Sequence, residues 1–161
     1  MKKVIYFAAL LLLTVFASCE KDEMGGTATE SVAGQWYVKA NEVRGGQVVE
    51  NPNAGRFLIL TYNTSANNPN EIWIDDLGHF KKIKIKASAD VNGLTFSASQ
   101  AQNQSGNNTV NVTNGKITPN GGKQNNGSPA DYITMDVELS SESGVIYRLE
   151  GVRYSGLAEN D

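Results

Sequence analysis

The chain has 161 residues, a formal net charge of −3 and one cysteine. A mildly acidic chain argues against a nucleic-acid partner, because proteins that bind nucleic acids present a basic surface. One histidine, with no cysteine in the predicted folded part, disfavours a zinc site, and a single cysteine excludes a disulfide within the chain. We therefore predict no metal and no cofactor.

The N-terminal segment, residues 1–18, has the layout of a secretory signal. Lys2 and Lys3 form a basic head, and an apolar run follows at residues 4–16. The run is too short to cross a bilayer comfortably, because a transmembrane helix needs about 20 apolar residues. We predict that residues 1–18 are a cleaved signal peptide, whose loss changes the formal charge from −3 to −5 because it removes two lysines.

Cys19, the only cysteine, follows the small residues Ala17 and Ser18. This arrangement resembles the bacterial lipobox, whose cysteine is acylated, with palmitate for example, and becomes the new N-terminus; the leucine usual three positions earlier is Phe16 here. The resemblance implies membrane attachment through a lipidated Cys19, where each buried methylene adds about 0.8 kcal/mol. The alternative is a secreted protein with an unpaired thiol, which is a liability in an oxidising compartment.

Residues 20–23, with the sequence EKDE, resemble the export tag of Bacteroidetes surface lipoproteins. In that phylum, such a tag directs a lipoprotein to the outer face of the outer membrane, so the resemblance implies a lipid-anchored protein that faces the cell exterior. A solvated charged tether is the alternative. In either case, residues 19–30 are predicted to form a flexible tether.

Residues 31–161 are predicted to form one domain of short strands, since about 130 residues suit a single core. Residues 56–63 are apolar on both faces, which predicts a central strand, and short strands are predicted at 71–75 and from residue 110. Elsewhere apolar and polar side chains alternate with the period of half-buried strands. The alternating segments are 36–41, 80–87, 94–98, 133–139 and 145–149.

Turn signals separate these segments. Asn-Gly pairs at 92–93 and 114–115 predict tight turns, and a Ser/Gly-rich turn is predicted at 140–144. Residues 100–129 are rich in Asn, Gln, Gly and Ser, which predicts a long mobile hairpin or loop in part of that range. No stretch after the signal keeps helical spacing for three turns, so we predict an all-β fold, an antiparallel up-and-down meander that closes as a barrel or a sandwich.

Several segments resemble a family of Bacteroidetes lipoproteins called lipid-binding putative hydrolases. The most specific is NTSANNP at 63–69, followed by IWIDD at 72–76. The resemblance covers most of the chain after the signal and implies a small calycin-like β-barrel of about eight strands. Further matching segments are GQWYV at 34–38, NGKI at 114–117, Ser128-Pro129 and Asp131.

A second resemblance is to lipocalins, which carry Gly-x-Trp at the start of the first strand and an arginine from the last strand over the indole. Gly34 and Trp36 match the first part, and either Arg148 or Arg153 matches the second. Arg153 shares strand parity with Tyr147, so it can reach inward. A cation over a tryptophan face contributes roughly 0.5–2 kcal/mol, and the role implied is the closure of one barrel end.

The sequence offers little for catalysis. His79 is the only histidine and lies near a turn, and no Gly-x-Ser-x-Gly elbow is present, so we predict no catalytic residues despite the family's hydrolase label. Asp75 and Asp76 are adjacent and would point to opposite faces of a strand. They mark a strand end, or alternatively a calcium site with Asn67 or Asn68.

The remaining candidates concern a ligand. Lys82, Lys84 and Lys86 form a basic stripe, which is either a solvated strand face or a grip for a carboxylate or phosphate head group. A set of aromatic residues and one arginine is predicted to line an apolar pocket, with plain core packing as the alternative. This set is Trp36, Tyr62, Trp73, Phe96, Tyr147 and Arg153.

These observations favour a lipid-anchored outer-membrane or surface lipoprotein that binds a small apolar or amphipathic, lipid-like ligand inside a barrel. One alternative is an interaction module without a ligand, which belongs to a cell-surface complex and has a protein partner. A lesser alternative is a hydrolase.

Overall fold

The computed structural model of the protein describes residues 26–157. The predicted signal peptide at 1–18, Cys19 with the tag at 20–23, and residues 158–161 lie outside the described residues. Among residues 26–157, no helix has the length and apolar character needed to cross a membrane. Thr29 is fully buried, so packing begins slightly before the predicted domain boundary at residue 31.

Residues 26–157 form nine antiparallel strands and 3-10 turns at Glu30–Val32 and Ser140–Glu142. From β3 to β9, each strand pairs with the next along the chain. β1 pairs with β2, with β3 and with β9. The strands are β1 (Gly34–Arg44), β2 (Gln47–Val49), β3 (Phe57–Asn63), β4 (Glu71–Asp75), β5 (Lys84–Asp90), β6 (Thr95–Gln102), β7 (Thr109–Lys123), β8 (Pro129–Leu139) and β9 (Ile146–Arg153).

The pairing of β1 with β9 closes a barrel of eight strands, and the short β2 is an additional strand on the end of β1. The predicted all-β, up-and-down calycin-like barrel is therefore confirmed. The interior is filled by alternate side chains from every wall of the barrel, which form one continuous core. The largest fully buried side chains include Trp36, Ile59, Ile72, Ile85 and Met135.

One end of the barrel is closed by Trp36 and Arg153, which face each other across the β1–β9 seam. The Arg153 guanidinium lies 4.4 Å from the centroid of the Trp36 ring, and Trp36 has no exposed surface. Gly34 leaves room for this stack, because a Cβ there would overlap Arg153 Nη1. The implied closure by Arg153 is confirmed, whereas Arg148 lies on the outer wall, paired with Asp136.

The 3-10 turn Glu30–Val32 crosses the same end and completes its closure. Val32 is fully buried, and its carbonyl accepts a hydrogen bond of 2.8 Å from the Thr61 hydroxyl. The Thr61 hydroxyl in turn accepts the indole N–H of Trp36 at 2.9 Å. The Ser31 hydroxyl donates to the carbonyl of Val91, in the turn between β5 and β6. We call this the closed end.

Of the two alternatives predicted for part of residues 100–129, a long hairpin or a long loop, the structure has hairpins, with β7 paired to β6 and to β8. Residues 109–123 form β7, the longest strand of the described chain, and the turn expected at 114–115 is instead a bulge within it. Asn114 adopts a φ of 54°, which asparagine tolerates better than most residues. Polar side chains dominate this strand because its outer face is solvated, while Val110, Val112 and Ile117 enter the core.

The predicted strand at residues 80–87 begins later than expected, at Lys84. Lys82 has a φ of 54°, which interrupts the extended backbone, so residues 76–83 form a loop. The alternation predicted for this segment is nevertheless confirmed, since Ile83, Ile85 and Ala87 are all buried and Lys84 and Lys86 between them are not. The Asn-Gly turn at 92–93 is confirmed between β5 and β6.

Candidate functional site

The end of the barrel opposite Trp36 is its mouth. The strand directions place four segments there: 45–56, which includes β2, and the loops 76–83, 103–108 and 140–145. Two of these loops meet across the opening, and the side chains at their meeting point form the candidate site.

Asp76 fixes the loop 76–83 in place. Its Oδ1 accepts the backbone N–H groups of Gly78 at 2.8 Å and Ile83 at 2.9 Å, and its Oδ2 accepts that of Lys81 at 2.8 Å. The carboxylate is only 2% exposed, so these three donors replace water. The interpretation of Asp76 as a strand end that turns into a loop is confirmed, and the turn directs Phe80 and Lys81 toward the mouth.

Phe80 is the centre of an aromatic cluster at the mouth. Its ring stacks on Phe57 of β3, with 5.4 Å between centroids, and meets Tyr147 of β9 edge-on at 5.1 Å. All three rings are half-buried. β3 and β9 lie on either side of β1 in the sheet, so Phe80 reaches across β1 to contact both of them. Ala40 of β1, which lies between these contacts, also packs against the core.

Lys81 joins the two loops across the mouth. Its ammonium lies 2.8 and 2.9 Å from the two carboxylate oxygens of Glu142, and the Tyr147 hydroxyl donates to Glu142 Oε2 at 2.6 Å. The ammonium also lies 5.0 Å from the Tyr147 ring centroid and 5.6 Å from that of Phe80. It is therefore held by one carboxylate and two aromatic rings.

The electrostatics of this cluster follow from these contacts. Hydrogen bonds from Lys81 and Tyr147 hold the pKa of the Glu142 carboxyl below its ordinary value. The bond to Glu142 raises the pKa of Lys81, and it also raises the pKa of the Tyr147 phenol, with burial second. Lys81 and Glu142 are therefore both ionised at neutral pH and form an ion pair beside aromatic surface.

A groove of about 390 Å³ lies against this cluster. Phe80, Lys81 and Tyr147 form one wall, and Val49 and Pro52 from the segment 45–56 form another. Val49 is 43% exposed, so its apolar surface is available in the groove. The lining also includes Arg44 and the carboxylates Glu42 and Glu50, so the groove combines apolar surface with charges of both signs.

The comparison with known families agrees with this geometry. A model of the family described as lipid-binding putative hydrolase matches residues 21–158. The chain belongs to this family. Its description supports lipid binding, and the family match covers every strand of the barrel. No curated protein is significantly similar to the sequence.

The six residues that we predicted to line a pocket lie in three different parts of the structure. Trp36 and Phe96 are in the core, 0% and 3% exposed, and Arg153 covers Trp36. Tyr147 is at the mouth, whereas Tyr62 and Trp73 are on the outer wall. The six residues therefore do not surround one space, and a role for them in ligand binding stays a prediction.

Tyr62 and Trp73 are paired across β3 and β4, with side chains on the face opposite Thr61, which points into the barrel. Lys84 lies 5.9 Å from the Tyr62 centroid and 5.8 Å from that of Trp73, and Lys86 lies 5.6 Å from the Trp73 centroid. The reading of the lysine stripe as a solvated strand face is thus confirmed for Lys84 and Lys86.

The candidates for metal binding and catalysis are engaged elsewhere. The amide oxygens of Asn67 and Asn68 accept the backbone N–H groups of Ala28 and Asn70. His79 Nδ1 lies 3.2 Å from the carbonyl oxygen of Leu58, in the loop position that we predicted. In the described part of the chain, no group of three or more His, Cys, Asp and Glu side chains converges.

Sequence reasoning missed Phe57, Phe80, Lys81 and Glu142 as a group. Phe80 did carry a signal, because a phenylalanine in a short polar loop must either pack onto the domain or remain exposed. The pairing of Lys81 with Glu142 had no local signal, since 61 residues separate them.

Proposed function

We propose that this protein binds a lipid-like, amphipathic molecule at the mouth of its barrel. The observation that carries the proposal is the packing of Phe80, stacked on Phe57 and edge-on to Tyr147, beside a groove of about 390 Å³. An acyl chain would bury apolar surface against these rings and Val49, and each buried methylene contributes about 0.8 kcal/mol. The family's lipid-binding description supports the same ligand class.

The mouth is a better site than the barrel interior. Trp36, Ile59 and Ile85 are at most 1% exposed and belong to one continuous core with Phe96. A ligand inside the barrel would have to displace these side chains, and protein cores are packed about as densely as organic crystals. At the mouth, Val49 is already exposed, so a ligand can bind there without opening the core.

The proposal includes attachment to the outer membrane through a lipidated Cys19, with the domain facing the cell exterior. The lipobox-like residues 16–19 and the charged residues 20–23 support this part. Residue 28 lies at the closed end, where its backbone N–H bonds to Asn67, so a tether from Cys19 would join the barrel at the end opposite the mouth.

Ligand binding is tested by titration calorimetry with the chain from residue 26 onward and two ten-carbon probes, decanoate and 1-decanol. Decanoate is kept below its critical micelle concentration and 1-decanol below its solubility limit. We expect wild-type protein to bind at least one probe. Val49→Asp should weaken binding about tenfold or more, because a charge would be buried against the acyl chain. No detectable binding of either probe would refute the proposal.

A matched pair of aromatic variants locates the site. Phe80→Ala should weaken binding strongly, whereas Trp73→Ala, on the outer wall, should leave it unchanged. Thermal unfolding of both variants checks that the barrel remains folded. If Trp73→Ala abolished binding while Phe80→Ala and Val49→Asp left it intact, the ligand would bind on the outer wall and the proposed site would be wrong.

Attachment is tested separately, with the full chain expressed in a Gram-negative host and labelled with an alkyne analogue of palmitate. Wild-type protein should incorporate the label and Cys19→Ser should not. Protease added to intact cells should digest the protein if it faces the exterior. Equal labelling of both forms, or of neither, would contradict lipidation at Cys19.

A second candidate function is an interaction module, and one observation favours it. Val48, Val49 and Ile146 are each 37% exposed or more and border the mouth, so they offer apolar surface to a protein partner as well. Binding of neither decanoate nor 1-decanol would make this the better interpretation.

A further inference from the structure

We infer that the ligand carries an anionic head group, a carboxylate or a phosphate, which Lys81 binds, and that Glu142 occupies the head-group position until the ligand displaces it. The inference rests on the proposed function, because it names the ligand class of the same groove. It also assigns a competing role to a residue of the protein itself.

The arrangement around Lys81 carries the first step. Both carboxylate oxygens of Glu142 lie within 2.9 Å of the Lys81 ammonium, and one of them also accepts the Tyr147 hydroxyl at 2.6 Å. A carboxylate or a phosphate of a ligand would find the same two donors in the same place. The site is thus already shaped for an oxyanion next to aromatic surface.

The position of Lys81 relative to the groove carries the second step. Its ammonium lies over the Tyr147 and Phe80 rings, which are the apolar wall of the groove. An amphipathic ligand whose chain covers that wall would bring its head group to Lys81. Arg44 also lines the groove, but its side chain is 71% exposed and is paired with Glu42 at 2.5 Å, so it is less well placed.

The third step is that Glu142 can leave. It belongs to the 3-10 turn Ser140–Glu142 in the loop between β8 and β9, and its side chain is 33% exposed. Ion pairs with this degree of exposure add little net stability, because both charges remain partly solvated. Lys81 is better fixed, since its backbone N–H is bound by the buried Asp76 carboxylate. Because Ser140 and Ser141 anchor the backbone of this turn to the segment 108–109, the Glu142 side chain alone is expected to move.

When a ligand anion displaces Glu142, Lys81 and Tyr147 keep the same kinds of contact. When a ligand carboxylate replaces that of Glu142, Lys81 keeps an anionic partner and Tyr147 keeps an acceptor, while Glu142 becomes hydrated. The depressed pKa of Glu142 supports this reading, because the hydrogen bonds that lower it come from groups that favour any anion at this position.

The experiment compares decanoate, decyl phosphate and 1-decanol on four forms of the chain from residue 26: wild type, Glu142→Gln, Lys81→Met and Lys84→Met. Glu142→Gln removes the competing charge and should tighten binding of the anionic probes about tenfold. Lys81→Met should weaken the anionic probes about tenfold or more and leave 1-decanol within about twofold. Lys84→Met, a lysine on the outer wall beside aromatic rings, is the matched control and should change nothing.

The outcomes separate this inference from the proposed function. If 1-decanol binds as tightly as decanoate, or if Lys81→Met and Glu142→Gln leave the anionic probes unchanged while Phe80→Ala weakens them, the head-group assignment is overturned and the mouth site stands. If no probe binds wild type or Glu142→Gln, the proposed function fails as well. A preference for decanoate over decyl phosphate, or the reverse, identifies the head group. Should Lys81→Met fail to fold, the Glu142→Gln result decides alone.

Discussion

The Arg153 guanidinium stacks on Trp36 and also donates hydrogen bonds to the carbonyl of Ala33 at 2.9 Å and to the carboxylate of Asp131 at 3.0 Å. One side chain of the last strand thus contacts the first strand, the segment before it and the start of β8. Arg153 therefore links three separate segments at the closed end of the barrel.

Replacing Arg153 with methionine keeps the side-chain length and removes the charge and its donors. We expect the free energy of unfolding to fall by about 1–3 kcal/mol, because the Asp131 carboxylate and the Ala33 carbonyl lose their partner. Chemical denaturation measures the change. Arg56→Met is the control, since Arg56 lies over the half-buried Tyr37 ring at 5.5 Å and should matter little. Equal losses in the two variants would contradict the closing role of Arg153.

Gly151 in β9 permits the close approach of β1. A Cβ at this position would lie 2.7 Å from Val38 Cα and overlap the Tyr37 carbonyl, and both neighbours are backbone that cannot rotate away. We expect Gly151→Ala to cost about 1–3 kcal/mol or more of unfolding free energy. Gly55→Ala, with no atom within 4 Å of the added Cβ, should stay within about 0.5 kcal/mol of wild type. If Gly151→Ala had the same denaturation midpoint as wild type, β1 and β9 could separate at this position without loss of stability.

The Tyr132 phenol is expected to ionise at a higher pH than an ordinary tyrosine. Burial, and secondarily the charge of Glu150, raise the pKa of Tyr132 to about 12. Because the folded state favours the neutral phenol, the associated stability is fully present below pH 10 and is lost as the pH rises toward 12. Ultraviolet difference titration should show one phenol ionising near pH 12 that is missing in Tyr132→Phe. Glu150→Gln should shift that step downward, and an unmoved step would exclude Glu150 as a cause.

Asp76 is expected to control the shape of the mouth. Asp76→Asn keeps the volume but leaves one oxygen to accept from three backbone donors, so we expect a loss of about 1–3 kcal/mol in unfolding free energy. Amide exchange at Lys81 and Ile83 should accelerate, and binding of decanoate should weaken because Lys81 is no longer positioned. Asp90→Asn is the control, since Asp90 accepts the backbone N–H groups of Asn92 and Gly93 in a turn at the closed end, away from the mouth. Unchanged exchange at Lys81 would argue that the loop is held by other contacts.

Much of the barrel could be predicted from strand parity. A strand with one buried face must alternate, so residues 36–41 and 80–87 could be predicted as half-buried strands, and the structure shows that Trp36, Val38 and Ile85 lie on the buried face. The same parity pointed to Arg153 as the arginine that covers Trp36, although Arg148 remained an alternative at that stage. The frequent turn signals predicted the up-and-down meander, because antiparallel neighbours need only short connections.

The candidate site could not be predicted in this way. Parity states which face of a strand a residue occupies, but Phe80, Lys81 and Glu142 are in loops or a 3-10 turn, where no period applies. Their contacts depend on two loops that meet only once the barrel has closed. An aromatic side chain can lie on either face of a strand. For that reason Tyr62 and Trp73 were grouped with Trp36, although they lie on the outer wall.

The β1–β9 seam also determines when the barrel can form. Every other pairing joins strands that are near in sequence, but Arg153 reaches the carbonyl of Ala33 over 120 residues. Until the last strand is available, β1 and β8 are open sheet edges with unpaired backbone groups, which can pair with other chains. During synthesis, which starts at the N-terminus, both edges therefore stay unpaired until β9 has emerged. The chain is most prone to aggregation in that period. Truncations within the final strand should consequently cause aggregation rather than a local loss of structure.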